Sequence, residues 1–346
     1  MHFRELNNLK CKTYLGVCEQ TRRAIIIDPL REKIERYLGA LAYQNWRLDL
    51  IVDTHTHADH RSGAAELSDL TDAPVVMHRR APAPYVKRHV EDGDVLAVGE
   101  CSLKVLYTPG HTPDSVSLAG DDRVFTGDVL LIHGTGRADF ASGDPGDQYD
   151  AITKKLFTLP DATLVFPAHD YRGHTKSTIG EEKRSNPRLA GRTRGQYVEL
   201  MNNLGLPLPD KIQEALQPNQ SAIDDSTLNF PTYSQLNAVR QLTPQEVAVR
   251  LDAPTPPILV DVREEAEYQG DLGHIAGSRL IPLRELPERA SAELAEIKDR
   301  DIVAICRVGV RSTTAAAILT GLGFDRVWNM KGGMLDWNEA RLPVER

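Results

Sequence analysis

The chain has 346 residues, 41% of them hydrophobic and 26% charged, so it is longer than one hydrophobic core usually serves and ordinary for a globular protein. A formal charge of -8 argues against a polyanionic partner such as nucleic acid, and no stretch reaches the roughly twenty apolar residues of a membrane span. The N-terminus, Met1-His2-Phe3-Arg4-Glu5, lacks the apolar centre of a secretory signal, and the four cysteines (Cys11, Cys18, Cys101, Cys306) are sparse and show no CxxC pair; a cytoplasmic protein with reduced thiols is expected.

From residue 24 onward short apolar runs recur at 24–27, 48–52, 74–77, 103–107, 124–125 and 164–166, and each reads as a strand that ends in a polar loop. Helices are expected at 62–70 and 178–184, which gives a mixed α/β pattern without strict alternation. Past about Leu204 the texture changes to Leu206-Pro207-Leu208-Pro209-Asp210 and then to polar residues. This stretch reads as a connector. A second α/β unit opens near Leu242, where Thr243 can cap a helix and Pro244 can occupy its first turn. Segments 258–260 and 302–305 read as buried parallel strands and 312–319 as a helix. The expected organisation is one domain over 1–204, a connector over 205–240 and a smaller domain over 241–346.

The loops carry the chemistry. Directly after the run at 48–52, the segment Asp53-Thr54-His55-Thr56-His57-Ala58-Asp59-His60 packs three histidines and two aspartates into eight residues. That spacing suits a metal-binding loop leaving a strand, because a regular strand or helix would scatter the side chains over several faces. The bland alternative is a polar turn whose histidines face water. Later strands are followed by Pro109-Gly110-His111, Gly127-Asp128 and Ala168-His169-Asp170-Tyr171, so distant ligands can converge at one sheet edge. His2, His78 and His89 read as surface or packing residues, while His133 and His174 remain unassigned. In the second unit, Cys306-Arg307-Val308-Gly309-Val310-Arg311-Ser312 follows a buried strand and opens a helix. Loop N–H groups and the positive helix end can stabilise a thiolate there, with Arg307 and Arg311 adding charge; the alternative is an inert buried cysteine.

These motifs carry two resemblances. THxHxDH at 54–60, TPGHT at 108–112 and TGD at 126–128, in this order, resemble the metallo-β-lactamase fold superfamily, which implies an αββα sandwich with metal at one edge. Within it, Gly127-Asp128-Val129-Leu130-Leu131-Ile132, Gly136-Arg137-Ala138-Asp139-Phe140, Pro167-Ala168-His169-Asp170-Tyr171 and Asn186-Pro187-Arg188 resemble the persulfide dioxygenases. The resemblance implies one Fe(II) per chain held by His55, His111 and Asp128, a ligand set that leaves positions open for sulfur and O2. His57, Asp59, His60 and His169 complete a dinuclear zinc site in hydrolase relatives such as glyoxalase II; here they are expected to orient the three ligands. Arg137, Asp139 and Tyr171 become candidates for contacting a glutathione moiety, the alternatives being an internal salt bridge for the charged pair and core packing for the tyrosine.

The Cys306 loop, with Val260-Asp261-Val262-Arg263, Gly273-His274-Ile275-Ala276-Gly277-Ser278 and Ile281-Pro282, resembles the rhodanese domain. A small α/β domain with a parallel sheet is implied, as is a sulfurtransferase in which Cys306 carries a sulfane sulfur and Arg307 and Arg311 bind substrate. Asp261, Arg263 and His274 are expected to be structural. Val308 departs from the thiosulfate-specialised form, which has a basic residue in this loop.

Taken together, the two resemblances imply oxidation of glutathione persulfide by O2 to sulfite and glutathione, coupled to sulfur transfer between thiosulfate and glutathione. Glutathione is then a co-substrate, the partners are these small molecules, and a homo-oligomer is left open. Two rival expectations are a dinuclear zinc thioester hydrolase of glyoxalase II type with an attached sulfur-carrier domain, and a non-enzymatic persulfide sensor.

Overall fold

Apolar side chains at alternate positions build two facing sheets in the first half of the chain, which a computed structural model describes over residues 1–7, 11–139, 142–205, 219, 231–283 and 285–346. Most of the expected connector, 206–218 and 220–230, lies outside the described residues. The chain divides into two compact units, Met1–Ile34 with Arg47–Asp225, and Glu35–Trp46 with Ser226–Arg346.

In the first unit, β1 (His2–Glu5), β2 (Tyr14–Cys18), β3 (Arg23–Ile27), β4 (Arg47–Val52), β5 (Val75–His78) and β6 (Arg88–Val90) form one six-stranded sheet in that order. The second sheet runs in reverse from β12 (Ser177–Thr178) through β11 (Leu164–Pro167), β10 (Arg123–Gly127), β9 (Val116–Ala119) and β8 (Cys101–Tyr107) to β7 (Val95–Val98). Ile25, Ile27, Leu50, Val52 and Val76 from one sheet meet Leu103, Val105, Leu118 and Phe125 from the other in a shared core. Each alternation puts the intervening residues on the outer face.

There the second sheet packs against α3 (Pro145–Lys154), α4 (Ile179–Ser185) and α5 (Arg194–Asn202) through Val124, Val165, Ile152, Ile179 and Tyr197. The first sheet carries α2 (Ala64–Thr71) beside β4 and β5. The result is the expected αββα sandwich. β3 runs parallel to β4, and β10 parallel to β11, so the loops after all four leave carboxyl ends of strands.

The second unit contains α1, which begins at Ile34 and runs Ile34–Tyr43, and α6 (Tyr233–Asn237). Its sheet has the order β13 (Arg240–Leu242), β17 (Val327–Met330), β16 (Ile302–Ile305), β14 (Ile258–Asp261), β15 (Arg279–Leu280), and every pairing is parallel. Helices α7 (Pro244–Leu251), α8 (Glu265–Tyr268), α9 (Leu286–Glu293), α10 (Val310–Gly321) and α11 (Gly333–Glu339) complete it. β14 and β16 are buried on both faces, between one core with Leu286, Ala315 and Leu319 and another with Val247, Met334 and Trp337. Thr243 and Glu246 form a capping box at the start of α7. No helix among the described residues is long and apolar enough to cross a membrane.

Candidate metal centre and thiol loop

Five loops at carboxyl ends of strands meet in the first unit: Asp28 follows β3, His55 follows β4, His111 follows β8, Asp128 follows β10 and His169 follows β11. The ligand atoms of His55, His111 and Asp128 all lie within 4.8 Å of one another, and all three residues are buried. Asp128 Oδ2 is 3.7 Å from His111 Nε2 and 4.0 Å from His55 Nε2. Gly127 makes the approach of the β10 loop feasible: its φ is +52°, and a Cβ there would sit 2.7 Å from Thr54 Oγ1.

Each imidazole has its tautomer set by the atom it does not offer to a metal. His111 Nδ1 donates to the Arg137 carbonyl at 2.6 Å. For His55, Thr54 Oγ1 lies 3.0 Å from Nδ1 and itself donates to Asp28 Oδ2 at 3.0 Å, so it accepts from the imidazole. Both rings therefore keep an Nε2 lone pair for the centre. Burial, reinforced by His57 and His111, holds His55 well below the usual histidine range. Asp128 is held below the ordinary carboxylate range: His169, His111 and His55 outweigh the burial that opposes ionisation. Two imidazoles and one carboxylate are a donor set that fits a divalent ion such as Fe(II).

The remaining cluster residues take two other positions. His57 groups with Asp28 and Asp53, its Nε2 3.3 Å from Asp28 Oδ1, and these carboxylates raise its basicity against the burial and the neighbouring His60 that lower it. His169 bridges two carboxylates: Nδ1 donates to Asp128 at 2.7 Å and Nε2 to Asp59 Oδ2 at 2.8 Å. Burial opposes a charge there, yet Asp128 and Asp59 overcome it and lift His169 well above the usual range. Beside it, His60 also gains against burial, pushed up to about 10 by Asp59 and Cys11. The ligating atoms of Cys11, Asp59, His60 and His169 form a second group, again within 4.8 Å of one another.

Arg137 and Asp139 form a bidentate salt bridge at 2.7 and 2.8 Å, the internal pairing named above as the alternative to substrate contact. Tyr171 is 61% exposed and stacks on His169 with ring centroids 5.6 Å apart, so it is not a core residue. His133 and His174 lie edge to face and pair with Glu181 and Asp170, respectively. His78 is buried and stacks on Tyr107.

Three residues of this site gave no signal in the sequence. Asp28, buried with φ +51°, also accepts from Thr54 N at 2.7 Å. Asp114 ties two ligand loops together, accepting from Thr56 N at 3.0 Å, Thr56 Oγ1 at 2.7 Å and Thr112 Oγ1 at 2.6 Å. Asn219, from the stretch read as a connector, donates Nδ2 to the carbonyls of His57 (2.9 Å) and His60 (2.8 Å) and accepts from Ser62 N at 2.9 Å. Asn219→Ala leaves these loop groups buried without partners, a cost of about 1–3 kcal/mol. The metal-free protein should then melt on the order of 2–10 °C lower by calorimetry.

In the second unit Cys306 directly follows β16 and is fully buried. Its Sγ accepts from Gly309 N at 3.1 Å and from Ser312 Oγ at 3.2 Å. Gly309, with φ +90°, turns its N–H back to the sulfur and caps α10, whose positive end faces the thiol. Arg307 is exposed, whereas Arg311 is held by Glu267 through two bonds of 2.7 and 2.6 Å. Arg263 and Asp261 form a wholly buried pair at 2.7 Å, the structural role expected of them, and His274 stacks on Tyr268 at 3.9 Å.

Sandwich, ligand edge and thiol loop together define a metallo-β-lactamase-fold domain followed by a rhodanese domain. The family models agree: residues 11–169 match the metallo-beta-lactamase superfamily and residues 243–340 the rhodanese-like domain. The chain is 39% identical to the human mitochondrial persulfide dioxygenase ETHE1 over 209 residues, 60% of this chain and 82% of that protein. It is 36% identical to a hydroxyacylglutathione hydrolase of Polaromonas over 176 residues, 49% of this chain and 66% of that one. The crystal structure of ETHE1 from Myxococcus xanthus superposes with a TM-score of 0.62 at 45% identity, covering 64% of this chain and 98% of its own. The chain belongs to the persulfide dioxygenase family and carries a C-terminal rhodanese domain.

Proposed function

We propose that the first domain oxidises glutathione persulfide with O2, and that the rhodanese domain moves sulfane sulfur between thiosulfate and glutathione through Cys306. The balance is GSSH + O2 + H2O giving GSH, SO3²⁻ and two protons. One observation carries the reading: the buried cluster is a triad of two histidines and one aspartate, with His57 grouped instead with Asp28 and Asp53. Such a triad is the ligand pattern of non-haem Fe(II) oxygenases.

His55, His111 and Asp128 would hold the ion, which supplies the redox chemistry that joins sulfur and O2. The chain's own contribution is orientation. Thr54 and Asp28 fix the His55 ring, the Arg137 carbonyl fixes His111, and His169 fixes Asp128. At the other site, attack by the Cys306 thiolate on the outer sulfur of thiosulfate forms a Cys306 persulfide and breaks the S–S bond to release sulfite. Transfer of that sulfur to glutathione gives the substrate of the first domain, and the same steps also run in reverse.

A second reading, a dinuclear zinc thioester hydrolase, draws support from the grouped donors of Cys11, Asp59, His60 and His169 and from the hydroxyacylglutathione hydrolase relative. Oxygen uptake by iron-loaded protein supplied with glutathione persulfide, with sulfite measured alongside, separates the two. The oxygenase consumes about one O2 per sulfite, following the balance above, with about one iron per chain as expected for a single facial-triad site. About two zinc ions per chain and hydrolysis of S-lactoylglutathione without oxygen uptake would establish the hydrolase.

A further inference from the structure

The positive charge around Cys306 is smaller than its loop sequence suggests. Of three nearby arginines, Arg263 is buried and spends its guanidinium on Asp261, the Gly273 carbonyl and the Glu267 carbonyl. Arg311, in the first turn of α10, is gripped by Glu267 through both terminal nitrogens. Glu267 is itself placed by its own helix, since Glu264 and Glu267 form the capping box of α8. Arg307 alone of the three is exposed and engages no carboxylate among the described residues.

The two sulfur donors differ in charge at the reacting end. Thiosulfate is a dianion, and its reaction with the Cys306 thiolate expels a sulfite dianion: RS⁻ + S2O3²⁻ gives RSS⁻ + SO3²⁻. A persulfide anion brings one negative charge and expels a thiolate: RS⁻ + GSS⁻ gives RSS⁻ + GS⁻. A loop with one uncompensated arginine disfavours the first reaction more than the second, because the negative charge gathered beside the thiol is larger.

We infer that Glu267 is a specificity-determining residue of the thiol site, which by neutralising Arg311 turns Cys306 toward persulfide donors, whose reacting end carries a single negative charge, and away from thiosulfate. This rests on the sulfur-transfer reading of Cys306. Glu267 touches neither donor; it acts through Arg311, so replacing it should change the choice of donor and not merely the rate.

The test follows the persulfide formed on Cys306 by mass spectrometry, with thiosulfate or glutathione persulfide as donor to the full-length protein. In Glu267→Gln, which keeps shape and one acceptor but removes the charge, the rate constant with thiosulfate should rise about five- to tenfold, while that with glutathione persulfide changes less than about twofold. Glu267→Asp retains the carboxylate and should restore the original preference. An unchanged ratio of the two rate constants in Glu267→Gln overturns the inference. If neither donor places sulfur on Cys306 in the unaltered protein, the sulfur-transfer reading itself fails, a result distinct from an unmoved ratio.

Discussion

Asp128→Ala should abolish oxygen uptake with glutathione persulfide and leave sulfur transfer at Cys306 within about twofold of the unaltered protein. The carboxylate has two functions. Its Oδ2 lies among the Nε2 atoms of His55 and His111, and both its oxygens accept from His169 Nδ1. Removing it takes one of three donors from a metal, and two imidazoles alone hold a divalent ion weakly, so iron content should fall from about one per chain to almost none after desalting.

The second function shows in the metal-free protein. His169 carries its charge between Asp128 and Asp59, and with Asp128 gone the buried imidazolium keeps one carboxylate. The expected loss of stability is about 3–5 kcal/mol at neutral pH. Asp128→Asn separates the two functions: its amide oxygen still accepts from His169, so stability should recover in part while iron binding stays weak. Retention of about one iron per chain in Asp128→Ala would remove Asp128 from the ligand set.

How much of this could be read from the chain depended on how local the signal was. Strands with alternating or continuous apolar residues, β3, β4, β8, β14 and β16, are legible because burial imposes a period on neighbouring positions. So are His55, His111 and Asp128, each on a short loop directly after such a strand. β1, β2, β6, β7 and β9 are less legible, since their register is set by partners elsewhere in the sheet. The supporting residues are harder still. Asp28 meets Thr54 across 26 positions and Asn219 meets His57 across 162, and a lone polar residue at such a distance has no spacing to mark it. Arg311 shows the opposite error: two arginines beside a cysteine look like free positive charge until Glu267, 44 positions earlier, cancels one. Sequence displays donors and acceptors; the fold decides which are already taken.

Cys306→Ser should eliminate sulfur transfer, by at least about a thousandfold, and leave oxygen uptake with supplied glutathione persulfide unchanged. The side chains are close in size and the serine hydroxyl can still accept from Gly309 N and Ser312 Oγ, so β16 and α10 should keep their places and the melting temperature should hold. What disappears is the nucleophile. A cysteine thiolate takes up a sulfur atom as a persulfide, whereas a serine hydroxyl does not in a loop without an adjacent base. Thiosulfate should therefore raise the mass of the unaltered protein by one sulfur atom and leave Cys306→Ser unshifted. The burial of Cys306 sharpens the test, because the sulfur itself is shielded while the next two loop residues, Arg307 and the 39% exposed Val308, are open to solvent. Cys11, Cys18 and Cys101 stand in the other unit, so a mass shift that survives in Cys306→Ser would locate the sulfur on one of them and take the carrier role away from the rhodanese loop. Loss of oxygen uptake together with sulfur transfer would show that the two chemistries share Cys306 and would end their assignment to separate sites.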